Sequence, residues 1–341
     1  MQSLTTGPGR ISGLRPYPRM RYRKALFRKI RSFSMASDAV RYRDLALVVL
    51  VPLFFSTNVV IGRSVVAEVA PWTLAFLRWS GALLIVLPFC MDSLRASRAA
   101  ILAQARTIGV LAFLGMWVCG GVVYVALHYT TATNATLIYA SANVLILVLE
   151  WAFRGRPIGL RELVGTVLAF CGVAAVAAGG ESAVDLSLNR GDILIAVAAF
   201  SWAIYSVVLK RPGLTAIPGL PLFATIMLAG AVMLAPMMAW EVSSGAALPQ
   251  SARAWFAVAG LALVPSVGAF FGYQYGVRRF GPSTIAMTSY LWTPFGVLLA
   301  VLFLGESLHV YHLVGLALIL PGVVLATARR SGVAAGREQS A

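Results

Sequence analysis

The chain has 341 residues, is 59% hydrophobic and only 12% charged, and has a mean hydropathy of +0.82, whereas a soluble domain carries about 25% charged residues. That much apolar surface exceeds what one aqueous core can bury, so lipid is the solvent for most of the chain and soluble-enzyme readings lose their footing. Cys90, Cys119 and Cys171 sit singly in apolar runs, and Walker, HExxH and GxSxG signatures are missing. The sequence therefore calls for no disulfide frame, no metal and no other cofactor.

Residues 1–43 hold 11 Lys and Arg and suit anionic lipid headgroups. They lack the apolar core of a secretory signal. Translation from Met20 or Met35, or a tail lying on the inner leaflet, are alternative accounts of this extension. Ten apolar segments then follow, each near the roughly 20 residues a membrane helix needs: 45–63, 72–90, 107–127, 134–153, 162–179, 192–209, 219–240, 254–277, 283–304 and 309–328.

Placing both termini and every second loop in the cytoplasm puts 24 of the 28 Lys and Arg residues on that side, as the positive-inside rule requires. The net charge of +16 is thereby topological, and no nucleic-acid partner is expected. The expected partners are a small-molecule substrate and the bilayer of the cell (inner) membrane, and the sequence is compatible with a homodimer.

A duplication is visible at an offset of 150. RGRPIGLRELVG at 154–165 falls on LGESLHVYHLVG at 304–315, sharing Gly155/Gly305 and the Leu-Val-Gly ending. Pro71 likewise matches Pro221, and ALHYT at 126–130 falls on GVRRF at 276–280. Five spans per copy is an odd number, so copies joined end to end face opposite ways. The predicted fold is an all-α integral membrane protein of ten transmembrane helices in two inverted five-helix repeats. Its divisions are 1–43, 44–180, 191–330 and the tail 331–341.

APWTLAFLRWSGALL at 70–84, YTTATNATLIYASANVL at 129–145, GDILIAVAAFSWAIYSVVLKR at 191–211 and STIAMTSYLWTPFGVLLAVLFLGESLHVYHLVG at 283–315 occur in that order. Together they resemble the EamA-type branch of the drug/metabolite transporter superfamily. The resemblance covers roughly 45–328 and implies two five-helix bundles around a central cavity, with alternating access and export of amino acids or other small metabolites. The first copy departs from the family pattern, with Asn143-Val144 in place of the helix-four proline and RGR in place of LGE.

Polar groups inside a membrane are costly and tend to face a bundle interior or a wet cavity. Thr136, Tyr139, Asn143 and Glu150 share one face of the fourth span, and Asn143 is about 13 Å deep. The offset pairs Tyr139 and Asn143 with Ser289 and Thr293 on the ninth span, where Pro294 frees a carbonyl. Tyr139, Asn143, Ser289 and Thr293 are therefore expected to line a cavity able to hold a zwitterion or polar metabolite. Asn58 and Ser56 of the first span join them as candidates, as do Ser201, Trp202 and Tyr205 of the sixth.

Gating or coupling candidates are Arg78, close enough to the outer interface to snorkel, and Glu150, one turn from Arg154. Glu306 and His309, with His312, open the tenth span and could couple transport to a proton gradient. The leading function is a secondary transporter exporting a small organic metabolite. One alternative is efflux of aromatic or cationic compounds, favoured if Trp202, Tyr205 and Trp292 line the cavity. Another is a lipid-modifying membrane enzyme built on Glu306, His309 and His312.

Overall fold

The computed structural model describes residues 46, 49–58, 61–62, 65, 68–126, 128–130, 132–179, 189–246, 248–304 and 308–327. The chain divides into two units, Met1–Ala46 and Leu47–Ala341, and the long helices belong to the second. Among the described residues every regular element is helical, since a helix satisfies its backbone polar groups internally where no water can.

The long helical segments are α1 Val49–Asn58, α2 Pro71–Phe89, α3 Ala105–Ala126, α4 Ala132–Arg154 and α5 Leu160–Gly179. They continue as α6 Arg190–Val208, α7 Gly219–Ser243, α8 Ala252–Phe280, α9 in two parts, Pro282–Ser289 and Trp292–Leu304, and α10 Val310–Thr327. Six of them, α2, α3, α6, α7, α8 and α9, are long and apolar enough among the described residues to cross a membrane. At their described bounds α1 and α10 are shorter apolar helices, and α4 and α5 span 23 and 20 residues. The chain is a multi-pass membrane protein.

Local chemistry sets the boundaries. Pro71 opens α2 from the extended Ala70, where a missing N–H costs nothing. Asn189 and Asp192 form a reciprocal capping box at the start of α6. Gly281, at φ 95, makes the reversal between α8 and the Pro282 that opens α9.

The 150-residue offset recurs in the helices. Shifted by that amount, α4 covers 282–304, the combined bounds of α9, and Leu160 of α5 lands on Val310 of α10. The π-helical stretch Phe113–Val122 inside α3 shifts onto 263–272, beside the π-helical Ala262–Phe270 inside α8. Local irregularities are thus duplicated along with the hydrophobic pattern.

Three pairs of counterparts pack antiparallel. The start of α2 meets the end of α7, where Glu241 accepts from Trp72 N at 3.0 Å, Thr73 N at 2.7 Å and Thr73 Oγ1 at 2.9 Å. The end of α4 meets the start of α9, where Glu150 accepts from Ser283 N at 3.1 Å and from Ser283 Oγ. In α5 and α10, Gly165 lies on Gly322 and Gly172 on Gly315. A Cβ at Gly165 would sit 2.5 Å from the Gly322 oxygen, and one at Gly322 would sit 2.8 Å from the Gly165 oxygen. Only glycine permits that approach, and the exchange of partners is what a two-fold relation between the copies produces.

Candidate functional site

Between these pairs lies a polar and aromatic centre, and its construction begins with a proline. Pro265 in α8 has no N–H for the Leu261 carbonyl one turn back. Ser266 Oγ donates to that carbonyl at 2.7 Å. Its lone pairs then accept the Arg78 Nε–H, also at 2.7 Å.

Arg78 is only 3% exposed. Its Nη1 donates to Asn58 Oδ1 at 3.0 Å and to the Tyr124 hydroxyl at 2.7 Å, and that hydroxyl donates to the same Asn58 oxygen at 3.0 Å. The guanidinium carbon stands 4.6 Å from the centre of the Trp79 ring, with Phe270 and Tyr124 near 6 Å. The expected snorkelling therefore does not occur: α1, α3 and α8 supply acceptors inside the bundle, and the side chain turns to them. An inward arginine costs about 2.5–3.5 kcal/mol on insertion scales, which three charge-assisted hydrogen bonds can offset.

An aromatic cluster continues from this point. Phe270 packs edge-on against Trp79 at 4.7 Å and Trp202 at 5.3 Å. Trp202 stacks on Tyr205 at 5.3 Å and tilts over Tyr273 at 4.6 Å. Phe55 stacks on Trp292 at 5.5 Å, and Tyr139 meets the edge of Trp292 at 6.1 Å. Thus α1, α4, α6, α8 and α9 each bring an aromatic face to one place.

Asn143 is 7% exposed, and its amide makes no hydrogen bond to any described residue. The half-buried Thr293 hydroxyl also forms none among them. Ser289 returns its hydroxyl to Ile285 O at 3.1 Å in its own helix. Ser201 donates to Leu114 O in the π-helical stretch of α3 at 3.0 Å, and Tyr205 accepts from Gln274 Nε2 at 2.7 Å. Ser56 Oγ lies 2.9 Å from Pro52 O and 2.8 Å from Trp292 O, so it tethers α1 to the interruption in α9. That interruption falls at Tyr290–Leu291, one turn before Pro294, because the proline ring displaces the carbonyl four residues back.

Glu150, 4% exposed, stands 3.8 Å from Arg154 and 3.7 Å from Arg156, but its hydrogen bonds go to the first turn of α9. Nearby, Lys210 Nζ donates to Arg278 O at 2.6 Å. Burial first, then Arg154, holds the Lys210 ammonium below its ordinary pKa, with Glu150 opposing. His309 is exposed, and its backbone N–H donates to His312 Nδ1 at 3.0 Å. Glu306 lies outside the described residues, as does the Thr136 side chain.

Tyr124, Ser266, Trp79, Phe270 and Glu241 are not evident as site residues from the sequence. Ser266 carries one signal that could have found it, as the hydroxyl beside a mid-span proline. Glu241 carries another, as the acid able to cap a facing Pro71 helix start.

The sequence matches the EamA-like transporter family twice, over residues 44–178 and 189–328. The chain belongs to the EamA-like transporter family. Among curated proteins, this EamA chain is 23% identical over 280 residues to the uncharacterized transporter YetK of Bacillus subtilis, covering 80% of this chain and 83% of that one. An uncharacterized transporter of Archaeoglobus fulgidus is 28% identical over 164 residues, covering 47% and 55%. A solved crystal structure superposes with a TM-score of 0.67 at 20% identity, over 83% of this chain and 96% of the other, and so shares the fold. The EamA chain is a membrane transporter.

Proposed function

We propose that this chain is a secondary transporter that exports a small organic metabolite, an amino acid or a related compound, across the inner membrane by alternating access. Its working form has ten membrane-crossing helices in two inverted five-helix repeats, with both termini cytoplasmic. The antiparallel packing of α2 with α7, α4 with α9 and α5 with α10 supports the inversion. The basic side chains of Arg154, Arg156, Lys210 and Arg278 around the Glu150 end support the orientation.

The observation that carries the reading is the pair of carboxylate clasps at opposite ends of the bundle. Glu150 holds α9 to α4 at the basic end, and Glu241 holds α2 to α7 at the other. Each carboxylate caps the free amides of a helix start, where the helix dipole favours negative charge. Releasing one clasp while keeping the other opens the centre to one side at a time. Asn143, Thr293, Tyr139, Trp202 and Asn58 then face the cargo. The sequence holds no ATP-binding motif, so on this reading the energy comes from a gradient of substrate or ion, or from a partner protein.

Efflux of aromatic compounds is a second reading, favoured by the convergence of Trp202, Tyr205 and Trp292 in one cluster. Counterflow in proteoliposomes loaded with unlabelled amino acids tests the function. Accumulation of labelled substrate above protein-free vesicles supports carriage, and equal uptake in both, across amino-acid and aromatic pools, contradicts it.

A further inference from the structure

We propose that Arg78 is an anion anchor and that the cargo carries a net negative charge: a small monocarboxylate with an apolar or aromatic body. The proposal rests on the carrier reading and narrows its cargo to the related acids that keep a carboxylate but lack the ammonium of an amino acid.

Among the described residues, no carboxylate matches the charge on Arg78. Arg78 is buried about 10 Å along α2 from Pro71, yet every acceptor it uses is neutral: Ser266, Asn58 and Tyr124. Among the described residues no carboxylate forms an ion pair with it. The twelve acidic residues of the sequence all fall in loops, in the tails or within the first or last turn of a span, so none is placed in the middle of the membrane.

Its donors are also incompletely used. Nε and Nη1 are engaged, whereas no described residue accepts from Nη2. A guanidinium presents its donors in a planar fork suited to a carboxylate, and here one arm remains to be taken.

The surroundings favour an anion with an apolar body. The Trp79 and Phe270 rings cover the guanidinium at 4.6 and 5.8 Å, and Phe270 continues into Trp202. The cation thus sits at the edge of a buried aromatic cluster. In low dielectric a like charge entering this space is repelled, and an anion is attracted far more strongly than at a surface. A zwitterion would find a partner for its carboxylate, while its ammonium would meet only ring faces and neutral oxygens and would be repelled by Arg78. A cation would find the rings and the repulsion of Arg78.

Phenylacetate, phenylalanine and 2-phenylethylamine share a phenyl ring and differ in charge, so their binding to the full-length protein in detergent, measured by equilibrium dialysis and tryptophan fluorescence, tests the charge directly. Phenylacetate is expected to bind at least about tenfold more tightly than 2-phenylethylamine, with phenylalanine between. Arg78→Gln is expected to weaken phenylacetate about tenfold, or about 1.4 kcal/mol, without weakening 2-phenylethylamine, and Arg78→Lys to restore part of the loss.

Tighter binding of the amine, no binding of phenylacetate, or an unchanged Kd in a folded Arg78→Gln variant overturns the proposal. The wild-type series stands even if the variant does not fold. Failure here, in a protein that still shows counterflow of another solute, removes the charge assignment and leaves the carrier reading in place.

Discussion

Arg78 in α2 and Ser266 in α8 are joined by a 2.7 Å hydrogen bond across 188 positions of sequence. The serine can accept it because its own proton is committed to the Leu261 carbonyl. Ser266→Ala removes both bonds. It should destabilise the protein by about 1–3 kcal/mol, as expected for a buried group stripped of a charged partner. Denaturant unfolding in nanodiscs checks this, and Ser266→Thr, which keeps the hydroxyl, should recover most of the loss.

The two clasps are expected to act independently. Glu150→Gln keeps an acceptor for Ser283 but removes the charge that complements the start of α9, a change worth about 1 kcal/mol or roughly fivefold. Amide hydrogen exchange in the first turn of α9 should quicken by that factor while the first turn of α2 is unchanged. Glu241→Gln should do the reverse.

Close packing of α5 on α10 makes a steric prediction. Gly322→Leu drives a side chain into the Ala169 backbone nitrogen and the Gly165 oxygen, which a Cβ alone already approaches at 2.7 and 2.8 Å. Overpacking of this kind costs about 1–3 kcal/mol or more. The variant should lose its sharp size-exclusion peak, whereas Gly109→Ala, with nothing within 4 Å of the added Cβ, should keep it.

Asn143 separates ligand binding from packing. Because its amide has no hydrogen-bond partner among the described residues, Asn143→Leu should leave expression and thermal stability near wild type and abolish counterflow. A stability loss of about 2 kcal/mol with transport retained would instead make Asn143 an interhelical hydrogen-bonding residue.

Much of this arrangement is legible in the sequence. The hydropathy runs locate the helices, and the offset that aligns Gly155 with Gly305 also aligns α4 with α9 and the two π-helical stretches. The remainder depends on contacts between distant segments. Arg78 reads as a snorkelling residue because Tyr124 and Ser266, 46 and 188 positions away, are not its neighbours in the chain. Glu150 reads as the partner of Arg154 because nothing local shows that the first turn of α9 faces it. Ser201 and Ser289 read as cavity residues; the Ser289 hydroxyl returns to Ile285 O in its own helix, a choice set by local helix geometry, whereas the Ser201 hydroxyl reaches Leu114 O in α3, a contact 87 positions away that the sequence does not display.

Access to the centre from both sides of the membrane is the central claim. In a chain whose three cysteines are replaced by serine, Asn143→Cys can be treated with a membrane-impermeant thiol reagent on either face of oriented vesicles. Alternating access predicts labelling from each face, with Glu150→Gln favouring the cytoplasmic side and Glu241→Gln the outer side. Labelling from one face only, unmoved by either substitution, would contradict alternating access about this site.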